Sequence, residues 1–226
     1  MMIFKLNGHE QTYSGNPEKS LLDYLRLEQG ITSVKDGCSG QGACGACLVE
    51  INGKPRLSCT TKMKNLQQAS VITLEGIPEK TRDILAKSFV ENGAIQCGFC
   101  TPGFVMRTKI LLQDNPDPTL EEVRKAIALN LCRCTGYKKI EKAILSAAEN
   151  LKRGIVISKE SLGLVGSSLP KYKGYETATG KRKFTDDLML PGMHYAALKF
   201  SEHPKAKIKS IDISAANHSE GVVKVF

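Results

Sequence analysis

Eight cysteines are the residues with the clearest capacity for chemistry in this chain of 226. The first set is Cys38, Cys44 and Cys47, followed by Cys59. Three ligands on one loop and a fourth from a neighbouring strand is the plant-type ferredoxin arrangement, whose expected gaps are four residues and then two. Each ferric ion of a 2Fe–2S cluster takes two thiolates besides its bridging sulfides, so four are needed. The intervening loop, Ser39-Gly-Gln-Gly-Ala43, must wrap the cluster and aim amide N–H groups at sulfur. Glycines permit that close approach. The first gap is five residues, one longer than the pattern, so one glycine is expected to bulge outward.

The second set is Cys97 and Cys100 with Cys132 and Cys134. Each pair is read at a helix end, which lets two distant segments converge on one cluster. The N-terminal dipole of a helix starting near Pro102 would favour thiolates there. Zinc is the alternative ligand, since it also takes four thiolates. Zinc ribbons prefer two pairs spaced by two to four residues, which the first set lacks and the Cys132-Arg-Cys134 pair breaks. Cys97-Gly-Phe-Cys100 could form a dithiol redox pair, but its parallel βαβ setting is not seen. A 4Fe–4S cluster would show a tighter run of cysteines. His9, His194, His203 and His218 are scattered away from the cysteines, so imidazole ligation of a Rieske kind is not expected.

Elements that could position these thiols follow from pattern. Phe4 and Leu6 precede Asn7-Gly8, a hairpin signal, with Gln11 to Tyr13 returning. Leu21, Leu22 and Leu25 lie at helical spacing within 19–29, with Gly30 as the stop. Residues 48–51 read as a strand before a second hairpin turn, Asn52-Gly53, and 71–74 as a final strand. From Thr81 the period becomes helical, with Ile84, Leu85, Ser88 and Phe89 on one face. Thr101-Pro102 is expected to cap and open a helix to Leu112. Thr119-Leu-Glu-Glu122 is a capping box for a helix carrying Leu120, Val123, Ile127 and Leu131. A fourth helix covers 140–152, with Ile144, Ala147, Ala148 and Leu151 on its apolar side. The fold class is therefore α+β, a sheet with one helix followed by a four-helix bundle. A Gly/Ser/Lys-rich linker follows, and then strands at 195–200, 208–213 and 222–226, read as the start of an incomplete domain.

The formal net charge of +9 is spread along the chain and overstated, because eight thiolates would offset it. Aromatic residues make up only 6%, too few for a stacking platform, so no nucleic-acid role is expected. No apolar run reaches membrane-spanning length and no secretion signal is visible, so the expected location is the cytoplasm, where disulfides are rare.

Three stretches carry a specific resemblance: Lys35-Asp-Gly-Cys38-Ser-Gly-Gln-Gly-Ala-Cys44-Gly-Ala-Cys47, Gly93-Ala-Ile-Gln-Cys97-Gly-Phe-Cys100-Thr-Pro-Gly103, and Leu131-Cys-Arg-Cys-Thr-Gly-Tyr137. Together they resemble the xanthine dehydrogenase/aldehyde oxidoreductase family of molybdenum hydroxylases. Thr179-Gly-Lys-Arg-Lys-Phe-Thr-Asp-Asp187 and Pro191-Gly-Met-His-Tyr-Ala-Ala197 resemble the opening of that family's a/b hammerhead domain. The resemblance implies a β-grasp ferredoxin domain at 1–77, a helical 2Fe–2S domain at 78–153, a linker at 154–178 and a truncated hammerhead start at 179–226. It implies two 2Fe–2S clusters, held by Cys38, Cys44, Cys47 and Cys59 and by Cys97, Cys100, Cys132 and Cys134. Gln96 and Cys134 would lie against a molybdopterin bound mainly by a missing region or a partner chain, and this chain would carry no catalytic residue of its own. The short linker leaves no room for FAD on this chain, so the partners implied are a molybdenum-binding subunit or C-terminal region, and a separate FAD subunit or a flavodoxin or ferredoxin acceptor. A free-standing two-cluster carrier and a zinc-binding scaffold remain the alternatives.

Overall fold

A computed structural model describes residues 1–155, 163 and 165–226, which form two units, Met1–Leu188 and Met189–Phe226. The first unit opens with the hairpin β1 (Met2–Leu6) and β2 (His9–Tyr13), turned by Asn7 and Gly8 with φ of 52° and 86°. Positive φ at both turn residues matches the right-handed twist of the strands. A second hairpin, β3 (Leu48–Ile51) and β4 (Lys54–Leu57), turns on Asn52 and Gly53 in the same way. β5 (Ser70–Ile72) completes a sheet of order β2-β1-β5-β3-β4 and runs parallel to β1 only.

The final strand stops two residues short of the expected Leu74. Asn7 reaches across from the first turn, accepting the Thr73 N–H at 2.8 Å and donating to the Thr73 hydroxyl at 3.0 Å. That grip turns the chain into a short helical turn at Leu74–Gly76.

The helix expected at 19–29 is capped by Ser20, whose hydroxyl accepts the Asp23 N–H at 3.0 Å. Its first residues, α1 (Leu21–Asp23), are α-helical, but Tyr24–Glu28 widen into a π-helical turn. The wider turn seats Tyr24 edge-on to both Phe4 and Tyr13, at 5.7 and 5.4 Å. Leu21, Leu25, Val49, Met63, Leu66 and Val71 close this core between helix and sheet.

A second core holds the helices α2 (Glu79–Glu91), α3 (Thr101–Asp114), α4 (Leu120–Ile127) and α5 (Lys138–Arg153). Leu85, Phe89, Phe104, Val123, Ile144 and Ala147 are fully buried there. The capping box at Thr119 and Glu122 forms as read, with both reciprocal hydrogen bonds. Thr101 differs from expectation. It is already the first residue of α3, is buried and makes no cap, because Cys100 occupies the cap position. Leu120 and Leu131 also lie outside the core, at 39% and 60% exposure, since α4 ends at Ile127 before a third apolar turn can form.

Part of the expected linker lies outside the described residues, at 156–162 and 164. Its far end folds as a short helix, α6 (Gly174–Ala178), with Thr177 and Ala178 buried. The second unit contains one short helix, α7 (Ser214–Asn217), and the strands expected at 195–200, 208–213 and 222–226 do not form among its described residues. Tyr195, Leu198, Phe200, Ile208 and Ile211 are exposed. Short strands without a ladder partner and a covering layer are not stable alone.

Replacing Thr119 by Ala removes the hydroxyl that accepts the Glu122 N–H while leaving the backbone N–H that donates to the Glu122 carboxylate, and is expected to cost about 1 kcal/mol. For a chain of this size thermal melting should show a fall of roughly 2–4 °C, and an unchanged melting temperature would mean that α4 draws nothing from its cap.

Candidate metal centres

The first four cysteines come together on the loop leading into β3 and the turn leaving β4. The Cys44 thiol donates to the Cys38 sulfur, and the Cys59 thiol donates to the Cys47 sulfur. Backbone N–H groups converge on the same sulfurs: those of Ala43, Cys44 and Gln41 on Cys38, that of Ala46 on Cys44, and that of Gly42 on Cys59. Burial acts to raise the Cys38 thiol, yet these donors together hold it below its ordinary value. Burial wins at Cys44, which is raised, and at Cys59, which is pushed up to about 12. The loop reaches this geometry through left-handed residues, Ser39, Gly40, Gly42 and Gly45. A side chain on Gly40 would meet nothing within 4 Å, so the extra residue bulges toward open space, as the spacing suggested.

The second four come from the α2–α3 and α4–α5 connections. Cys134 donates to Cys97, and Cys100 donates to Cys132. Burial pushes the Cys100 thiol up strongly. At Cys132 burial is outweighed by the Thr135 hydroxyl and N–H and the Cys134 N–H, and the thiol is lowered. Tyr137, in a left-handed conformation before α5, accepts the Cys132 N–H on its phenol oxygen at 3.0 Å. Its ring stands edge-on to Phe104 at 6.2 Å. Cys97 and Cys134 are exposed, as is Gln96, while Cys132 is buried.

The eight sulfurs therefore gather as four pairs in two groups. Among the described residues no three His, Cys, Asp or Glu side chains are disposed around a single ion. The four histidines are exposed.

The two groups are joined directly. The Leu131 N–H donates to the Cys44 carbonyl at 2.8 Å, and the Asn130 amide donates to the Gly45 carbonyl at 3.2 Å. A Cβ on Gly45 would stand 2.6 Å from the Leu129 carbonyl, and one on Gly103 would stand 2.6 Å from the Gly45 carbonyl. Only glycine at both positions lets the two loops touch. Arg107 holds Asn130 from below at 3.2 Å, and Lys109 of α3 pairs with the buried Glu50 of β3. Sequence reasoning missed Asn130, Tyr137, Gly45 and Gly103 as positioning residues. The signal available was the small or polar residue beside each ligand pair.

Three family profiles match in succession: a 2Fe–2S iron–sulfur cluster binding domain over residues 4–69, a 2Fe–2S binding domain over 73–145, and the a/b hammerhead domain of aldehyde oxidase and xanthine dehydrogenase over 179–226. The chain is 48% identical over 145 residues to the nicotinate dehydrogenase small FeS subunit of Eubacterium barkeri, covering 64% of this chain and 92% of that protein. It is 37% identical over 237 residues to the aldehyde oxidoreductase of Megalodesulfovibrio gigas, covering 99% of this chain and 26% of the relative. The solved aldehyde oxidoreductase from Desulfovibrio gigas superposes with a TM-score of 0.75 at 37% identity, over 82% of this chain and 22% of that one. The chain thus spans nearly all of a small subunit and about a quarter of a longer enzyme.

Tyr137→Phe keeps the ring against Phe104 but leaves the Cys132 N–H without its acceptor. The expected loss is about 1–3 kcal/mol, read as a lower denaturation midpoint of the iron-loaded chain with an unchanged slope. Equal midpoints would show that the phenol oxygen does not support the second cysteine group.

Proposed function

This chain belongs to the xanthine dehydrogenase/aldehyde oxidoreductase family of molybdenum hydroxylases, as its iron–sulfur electron-transfer portion, and from that membership we propose how its residues divide the work. Cys38, Cys44, Cys47 and Cys59 hold one 2Fe–2S cluster, and Cys97, Cys100, Cys132 and Cys134 hold the other. When bound, each cluster supplies one-electron acceptance and release. The pairing of thiols supports this choice over zinc. A mononuclear zinc site draws four thiolates onto one point, whereas pairs suit two irons that take two thiolates each. Cys38 with Cys44 and Cys47 with Cys59 would serve one iron apiece, as would Cys97 with Cys134 and Cys100 with Cys132. The N–H groups aimed at sulfur suit an anionic cluster and tune its potential.

The observation that carries the relay reading is the Leu131 N–H bond to the Cys44 carbonyl. It ties a ligand of one cluster to the residue before a ligand of the other, with no water between. The exposed Gln96, Cys97 and Cys134 face is then where electrons enter, against a molybdopterin held by another region or chain. The half-exposed Cys38 edge is where they leave, toward a flavin-bearing subunit or a small carrier. Substrate selection and hydroxylation lie with the molybdenum-binding partner. The match at 179–226 favours a unit joined to a hammerhead domain over a free-standing carrier. Domain limits of 1–77, 78–153 and 179–226 and a cytoplasmic location belong to the same proposal. Among the described residues no helix is long and apolar enough to cross a membrane.

Chain purified without oxygen should contain about four irons and four acid-labile sulfides, and dithionite should produce two distinguishable EPR signals. Cys59→Ser should abolish one signal and Cys132→Ser the other. Zinc in place of iron and sulfide, or loss of both signals from either variant, would falsify the assignment.

A further inference from the structure

A segment far from the cysteines in sequence lies across both of their loops. Thr177 of α6 packs on Gly98, between Cys97 and Cys100, so closely that a Cβ there would stand 2.1 Å from its methyl carbon. Tyr175 anchors the same helix by donating its phenol to Asp83 of α2. Gly180 then passes over Ser33, where a Cβ would stand 2.4 Å from that of Ser33. Phe184 packs edge-on against Phe99, the other residue between Cys97 and Cys100, at 5.4 Å. Phe99 in turn borders Gly37, beside the Cys44 sulfur.

The far end is fastened by charge. Lys35, three residues before Cys38, has no exposed side-chain surface, and neither does its partner Asp187. Asp187 also accepts from Arg26 at 2.9 Å and from the Phe184 N–H at 2.9 Å. Asp186 takes the second arm of Arg26 at 2.9 Å, while Arg26 is itself fixed to the Val34 carbonyl at 3.0 Å. The Lys35 ammonium lies 5.0 Å from the Phe184 ring centre. Burial outweighs Asp187 at Lys35 and holds its amine below the ordinary value, whereas Asp187 stays below the usual carboxylate range despite burial because Lys35, Phe184 N–H and Arg26 all face it.

We propose that residues 174–187 are a strap that covers and seals the two cysteine loops, latched by Asp187 in the socket formed by Lys35 and Arg26. The strap is thus a working part of the iron–sulfur unit, although it lies beyond the last of the cysteines in sequence. It keeps water and chelators from Phe99 and the inner sulfurs while leaving Cys97 and Cys134 open. The inference rests on cluster binding by this chain, and its test separates the two.

The full chain, loaded with iron, is compared with Asp187→Asn by hydrogen exchange over residues 174–188 and by the rate of iron release to an added chelator. Both rates should rise by about tenfold or more as the strap opens locally. The double variant Lys35→Met with Asp187→Leu should return both toward the parent values, because an apolar pair of similar volume can replace a buried ion pair. Unchanged exchange in Asp187→Asn overturns the latch, and faster exchange with unchanged iron release overturns the seal. A double variant that stays open also overturns the latch, since removing the stranded charge should then have closed it. Should Asp187→Asn not fold, Phe184→Ala retains every charge and carries the same two measurements. A chain that takes up no iron refutes the cluster reading, while hydrogen exchange still decides the latch.

Discussion

Sulfur atoms brought together in pairs, two pairs to a group, set the conditions that the rest of this fold meets. Thiols so close ionise together only when positive charge arrives between them, and burial makes the demand stricter. The raised Cys44, Cys59 and Cys100 thiols record that demand, and the lowered Cys38 and Cys132 record the local answer of several N–H and hydroxyl donors on one sulfur. Each group sets a lowered sulfur against a raised thiol, Cys38 against Cys44 and Cys132 against Cys100. A site built this way is ready for a cationic core and unsuited to standing fully charged without one.

The two groups could have been separate modules on a flexible connection. They are instead fused by backbone contact, and fusion explains several otherwise unrelated residues. Gly45 and Gly103 are bare so that carbonyls can approach. Asn130 spends its side chain on the Gly45 carbonyl and on Arg107, replacing the solvent that both would otherwise need. Lys109 and Glu50 tie α3 to β3 beside them. Contact at this level fixes the spacing between the ligand sets, and electron exchange between bound cofactors depends steeply on spacing and on what fills the gap.

Much of this was legible in the sequence wherever one residue type has few alternatives. Asn-Gly turns and the Thr119 capping box each name a local geometry, and those geometries formed. Elements whose outcome depends on distant residues were less legible. β5 ends early because Asn7 of another hairpin holds Thr73, and Thr101 loses its cap role because Cys100 takes it. Leu131 looks apolar and core-bound, yet its backbone N–H is what matters. Pairing of cysteines across segments, such as Cys97 with Cys134, has no trace in spacing at all. The tail strands were read from apolar alternation, which specifies a face but supplies nothing for that face to cover.

The Lys35–Asp187 pair has a use that stability alone does not account for. Buried ion pairs are weak evidence for stability, since apolar residues of similar volume often do as well, and in some systems their use is to specify one partner or register. A purely apolar contact beside the two cysteine groups would accept many segments of similar shape, including a neighbouring chain. A buried ammonium accepts only an occupant that brings a carboxylate to one position, and Arg26 adds the requirement for a second carboxylate beside it. Asp186-Asp187 following Phe184 meets both conditions with one aromatic anchor. In the proposed latch the buried charge thus selects which piece of chain covers the cysteine loops, and Phe184 on Phe99 adds the aromatic contact.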